Sequence, residues 1–200
     1  MINNLIKDPW LTTGNATTGP PRIRPQQVIS AQQLQSFRAD FTGAQYQFVI
    51  GLLQSTMPPE DEEQWREMLE CPPEEDALAA AFGAVAHAFD LWGNGPRFMQ
   101  DLDPLGGAEE RSIAQLLIEM PGANALKHNT DHFIKRGGVA GVCPACAASA
   151  LFCMQLNAPS GGAGHRTSLR GGGPMTTLLV DSTLWRTLWR NVVPLDAFEN

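Results

Sequence analysis

This chain of 200 residues is short of cysteine, short of basic charge and without a long apolar run, and each shortage narrows what it can be. Its four cysteines, Cys71, Cys143, Cys146 and Cys153, are too few and too unevenly spaced to staple a chain of this length. That argues against a disulfide framework and for a reducing, cytoplasmic compartment. No apolar run approaches the roughly 18 residues of a transmembrane helix, so no membrane association is expected. The opening MINNLIKDPW lacks a basic head followed by an apolar core, so no secretory signal is expected either. Catalytic signatures are also missing. There is no Gly-x-Ser-x-Gly and no His-Glu-x-x-His, and Gly164-His-Arg-Thr-Ser168 lacks the Lys-Ser/Thr ending of a P-loop. No catalytic residue is assigned, and a non-enzymatic protein is expected.

The deficit of positive charge, 14 Lys and Arg against 21 Asp and Glu, weighs against a nucleic-acid binder until its distribution is considered. Residues 1–40 carry four basic and two acidic side chains, residues 41–110 two and fourteen, and residues 111–200 eight and five. An acidic middle therefore masks a basic C-terminal half. Many of the acids fall at predicted helix starts, where they favour the helix dipole.

Hydrophobic content of 43% supports a real core, and the length suits a single domain over residues 1–200. The pattern predicts an α+β protein, mainly helical with a few short strands. Residues 3–7 read as a strand ended by Asp8-Pro9, and residues 12–27 as a loop. Helices are predicted from Ser30 to Leu53 (with a break at Thr42-Gly43), after Pro58-Pro59, from Glu74 to Leu91, over 109–120, and from Cys143 to about Leu156. In the 109–120 helix, Ile113, Leu116, Leu117 and Met120 are expected to be buried. His87 reads as a packed core histidine. A strand is predicted over Met175–Val180, followed by a last helix capped by Ser182.

Three segments carry candidate chemistry. The first runs from Asn157 to Thr177. Its glycines bracket His165, Arg166 and Arg170, so backbone can approach a ligand closely beside cations that suit phosphate. The second is Lys127-His-Asn-Thr-Asp-His-Phe-Ile-Lys-Arg136, where Phe133 can stack on an unpaired base while Lys127, Lys135 and Arg136 meet phosphates. The alternative for it is an exposed loop whose Phe133 anchors to the core. The third is Cys143-Pro-Ala-Cys146, which suits half of a tetrahedral zinc site, a redox dithiol or a pair of reduced structural thiols.

Several pieces together resemble one family. Ala158-Pro-Ser-Gly-Gly-Ala-Gly-His-Arg-Thr-Ser168 and the glycines after it are similar to the glycine-loop region of the CasA family, the large subunit of type I-E CRISPR Cascade. Leu5-Ile-Lys-Asp-Pro-Trp-Leu11, Pro96-Arg-Phe-Met-Gln100 and Cys143-Pro-Ala-Cys146 resemble other family segments in the same order. The match is to the N-terminal part of a longer family chain, without its C-terminal helical bundle.

The resemblance implies a CasA-like N-terminal domain that works in an RNA-guided surveillance complex with other Cascade subunits, guide RNA and double-stranded target DNA. It implies that Ser160, Gly161, Gly162, Ala163 and Gly164 approach the minor groove of the protospacer-adjacent motif, with His165, Arg166 and Arg170 beside phosphate. By position it implies contact of Lys127, His128, Asn129, His132, Phe133, Lys135 and Arg136 with the 5′ handle of the guide RNA. It implies zinc at Cys143 and Cys146, completed in the family by a second Cys pair, whereas residues 147–200 here hold only Cys153. Two other readings are a shortened variant serving a complex whose nuclease is attached to another subunit, and a zinc- or thiol-dependent enzyme built on Cys143 and Cys146.

Overall fold

The computed structural model describes residues 1–14, 21–103, 106–135, 137–158, 167–172 and 176–198. The chain packs as two compact units, Met1–Phe98 with Thr176–Asn200, and Met99–Met175. Among the described residues helices dominate both, and one two-stranded antiparallel sheet completes the α+β fold.

In the first unit, β1 (Leu11–Thr12) pairs with β2 (Arg22–Ile23), Leu11 opposite Ile23. This small sheet lies in the stretch predicted as loop, a correction. The pairing is fastened from outside the strands: the buried Gln45 amide accepts from Thr12 N at 3.1 Å and donates to Thr12 Oγ1 at 3.0 Å. The strand predicted over residues 3–7 is instead a tight turn. Asp8 accepts the backbone N–H groups of Asn3 and Asn4, and Asn4 accepts those of Ile6 and Lys7. Short polar side chains thus satisfy the backbone locally in place of a ladder. The Asn3 N–H, ahead of any other contact, holds the Asp8 carboxyl below its ordinary pKa.

The first long helix, α1, spans Ala39–Thr56 and does not begin near Ser30, which ends a 3₁₀ turn over Pro25–Ile29. Asp40 in its first turn is gripped by Arg38 at 2.7 Å and favours the dipole there. Gly43 does not interrupt it. The roughly 1 kcal/mol cost of a helical glycine is outweighed by the buried face of Phe41, Ala44, Phe48 and Leu52. Around Phe48 the core is aromatic: Trp10 meets it edge-on at 4.8 Å, and Phe89 and Phe98 lie within 5.8 Å.

The next two helices are α2 (Glu62–Glu70), capped by Asp61, and α3 (Glu75–Val85). The latter is shorter than predicted because other groups capture its last carbonyls. Asn4 Nδ2 donates to Ala86 O and Leu5 N to Phe89 O, leaving a 3₁₀ turn over Ala86–Ala88. His87 in that turn is exposed, not packed in the core, because the turn buries only Ala86.

Residues 176–180 form no strand, against expectation; Met175 lies outside the described residues. The reason is a substitute partner. Asn191 accepts the N–H of Leu179 and donates to its carbonyl, both at 2.9 Å.

The last helix, α6 (Leu184–Trp189), is capped by Thr183, one residue beyond the expected Ser182. Its tryptophans stack at 5.2 Å. Three indole N–H groups then fasten this region to α2: Trp185 to Met68 O, Trp189 to Trp65 O, and Trp65 to Val192 O. Asp181 bridges Arg186 and Arg190 before the helix. The Ser182 N–H, and after it Arg190, hold its carboxyl well below the usual range.

In the second unit, α5 spans Pro144–Asn157 and α4 spans Ala123–His128. The helix predicted over 109–120 is only a 3₁₀ turn, Ile113–Leu116. In a 3₁₀ turn residues three apart eclipse, so Ala114 and Leu117 share one buried edge while Ile113 is 38% exposed. This turn packs on α5, whose buried face is Ala145, Ala148, Ser149, Phe152 and Cys153.

Candidate nucleic-acid interface

The described candidate residues all belong to the second unit. Helix α4 places Lys127 and His128 in its last turn, where cations complement the helix dipole. Asn129 ends the helix in the left-handed conformation (φ 50°), its N–H donating to the carbonyls of Ala125 and Leu126. Thr130 N also donates to Ala125 O, at 3.0 Å. Asn suits that conformation because its short polar side chain tolerates positive φ. The chain then turns again, with Ile134 N donating to Asp131 O at 3.2 Å. At this turn Phe133 is 99% exposed. The ring does not anchor the loop to the core, which removes the alternative reading of this segment. His132 and Lys135 beside it are exposed as well, as are Lys127, His128 and Asn129. The result is an uncovered aromatic face with cations along the same turn, the pairing of stacking and charge that unpaired nucleic acid requires. Arg136 lies outside the described residues.

Pro144 at the first helical position starts α5, and Cys143 caps it by accepting Cys146 N at 3.3 Å. The two sulfurs lie 3.0 Å apart, Cys143 exposed and Cys146 partly so. Two thiolates on one tetrahedral zinc, each at about 2.3 Å, stand about 3.8 Å apart, so this spacing is that of a close thiol pair. Among the described residues no group of three or more His, Cys, Asp and Glu side chains surrounds a common point.

Near the other end of α5, Gln155 ties together two segments. Its amide donates to Met99 O at 3.1 Å, and its backbone carbonyl accepts Leu169 N at 2.8 Å. Arg170 follows, exposed, at the head of a turn closed by Gly171 N to Ser168 O and Gly172 N to Ser168 Oγ. Gly171 and Gly172 sit at φ +70° and +81°, a region L side chains avoid. Gln155 is some 18 Å along the helix from Cys143, at 1.5 Å per residue. The structure thus sets Arg170 and the Cys pair at opposite ends of α5. Ser160, Gly161, Gly162, Ala163, Gly164, His165 and Arg166 lie outside the described residues.

One feature of this unit left no mark in the sequence pattern. A cleft of about 630 Å³ opens between the segment around the Ile113–Leu116 turn and α4. Arg111 and Lys127 bring cations to it, Ser112 and Gln115 neutral polar groups, and Glu110 a carboxylate. Glu110, Arg111, Ser112 and Gln115 fall in the helix expected over 109–120 and Ala123, Leu126 and Lys127 beyond the Pro121 that ends it, so nothing in their spacing brings them together.

The architecture is that of a mainly helical CRISPR-associated fold. The crystal structure of Thermobifida fusca Cse1 superposes with a TM-score of 0.70 at 21% identity, over 96% of this chain and 39% of that one. Thermus thermophilus CasA (Cse1) gives 0.66 at 17%, over 96% and 39%, and Cse1 from Acidimicrobium ferrooxidans 0.67 at 19%, over 96% and 38%. The chain thus spans about 39% of the length of these relatives. The profile of the family described as CRISPR-associated protein Cse1 matches residues 4–199, and the chain belongs to that family. No helix among the described residues is long and apolar enough to cross a membrane.

Proposed function

We propose that this chain is a non-catalytic subunit of an RNA-guided surveillance complex of the Cascade type, acting in the cytoplasm with other Cascade subunits. The observation that carries the reading is Phe133, fully uncovered between His132 and Lys135 in a chain of the Cse1 family. A bare phenyl ring forgoes about 1.5–3 kcal/mol of burial, and stacking on a base recovers it. In this reading residues 127–136 hold the 5′ handle of the guide RNA. The loop Ser160–Gly164 enters the minor groove of the protospacer-adjacent motif, with His165, Arg166 and Arg170 on phosphates. The division of labour is general to such complexes: base pairing reads the target, protein reads the short motif. A backbone loop suits the minor groove, which is narrow and carries a degenerate code. Ala163 within that loop adds one methyl and would narrow or shift motif preference. Zinc, if held by Cys143 and Cys146 with two further ligands, would stiffen the start of α5 and take no part in chemistry.

The test is reconstitution of the guide-RNA complex with and without this chain. Addition should confer dependence of target binding on the motif and protect the 5′ handle from nuclease. If neither changes on addition, the reading fails.

A further inference from the structure

We propose that the cleft between the Ile113–Leu116 turn and α4 receives one unpaired ribonucleotide, the phosphate on Arg111 and Lys127 and the base on the apolar floor. This rests on the reading of residues 127–136 as an RNA contact and extends it to a binding site that the sequence pattern does not reveal. The volume, about 630 Å³, falls in the range of small-ligand sites, about 300–1,000 Å³. The lining has the composition such a ligand needs. Pro121, Ala123 and Leu126 supply apolar surface for a base or ribose. Arg111 and Lys127 come from two different segments and both reach the cleft, so a phosphate can be met from two sides.

Among the described residues Arg111 pairs with Glu109 at 2.7 Å in an exposed contact, its side chain 64% accessible. Exposed pairs of this kind are weak, so Arg111 is free to turn to a stronger anion. Gln115 is oriented, since its Nε2 donates to Pro121 O at 3.4 Å, which presents its carbonyl oxygen as an acceptor. Glu110 repels phosphate on its side and accepts from a hydroxyl. The ribose 2′-OH, which a deoxyribonucleotide lacks, satisfies that carboxylate, and free phosphate does not. The cleft is also continuous with the RNA-contacting turn, because Leu126 and Lys127 line it and His128 and Asn129 follow directly. A strand stacked on Phe133 has a neighbouring nucleotide to place.

The experiment is an NMR titration of the isotope-labelled full chain with cytidine monophosphate, deoxycytidine monophosphate and inorganic phosphate. The ribonucleotide should shift the backbone amides of Arg111–Gln115 and Ala123–Lys127 and saturate at a concentration about tenfold lower than inorganic phosphate. Arg111→Ala, at an exposed position, should weaken the ribonucleotide about tenfold with an unchanged spectrum elsewhere. Equal affinity for phosphate and nucleotide, equal affinity for the ribo and deoxy forms, or no shift at these amides overturns the proposal. The two readings fail separately. If Phe133→Ala abolishes guide-RNA association while the cleft shows no nucleotide binding, the cleft proposal alone falls. If the cleft binds the ribonucleotide while Phe133→Ala associates normally, the loop reading alone falls.

Discussion

Truncation of Phe133 to alanine separates a structural residue from a recognising one. The ring is 99% exposed and its loop is held by backbone bonds at Asn129, Thr130 and Ile134, none of which involves the Phe133 side chain. Surface substitutions away from caps and cores change stability by no more than about 0.5 kcal/mol, so the variant should melt with the parent. Loss of one stacked base costs about 1–3 kcal/mol, which is roughly a 5- to 150-fold weaker association. Circular dichroism gives the melting temperature. Fluorescence anisotropy of the full chain against a labelled guide-RNA complex, at fixed salt, gives the affinity. Phe133→Trp keeps a stacking face and should restore most of the affinity. Lys135→Gln should lower the salt dependence by somewhat less than one unit of slope, as for a single phosphate contact to a single strand. A Phe133→Ala chain that associates normally but melts early refutes the reasoning, because the ring would then be serving the fold.

Other outcomes follow from the same reasoning. Gly162→Leu should abolish discrimination of motif-bearing from motif-free target in the reconstituted complex, while Arg166→Ala should weaken all duplexes alike, as a phosphate contact does. Trp189→Phe should destabilise the first unit by about 1–3 kcal/mol in urea unfolding, since a fully buried indole loses both volume and its bond to Trp65 O; an unchanged midpoint would remove the indole bonds from the account of α6. Asp181, with a carboxyl held below its ordinary value of 3.8, contributes stability that is present above about pH 4 and lost as pH falls below it. Asp181→Asn should therefore be less stable than the parent at pH 7 and converge with it in stronger acid; parallel curves would show that the carboxylate is not coupled to folding.

Much of the second unit's local structure around the candidate site was legible from residue types alone. Cys143 and Pro144 announce the start of α5, because a capping atom followed by proline suits the first turn, and the structure starts that helix at Pro144. The basic turn after α4 was legible as a mixture of aromatic and cationic groups. Its exposure was not, since Phe133 on a short loop reads equally well as an anchor. The 3₁₀ turn at Ile113–Leu116 was missed because Ile113, Leu116, Leu117 and Met120 fit a helical period. Which of them face inward depends on α5, which covers only the edge of Ala114 and Leu117.

What the amino-acid order determined by itself was local. The proline and capping signals placed the starts of α2, α3 and α5 to within a few residues, and the spacing of Cys143 and Cys146 put two sulfurs on one turn. The acidic residues at helix starts, such as Glu62 and Glu63, follow from the dipole and require no partner. Tertiary structure decided everything that depends on a distant group. Gln45 fastens β1, Asn191 takes the place of a strand beside Leu179, and three indoles hold α6 and the Val192 that follows it to α2. The cleft that brings Arg111 to Lys127 belongs with these. Side-chain amides and indoles can satisfy backbone groups from far along the chain, and no local period records which of them will.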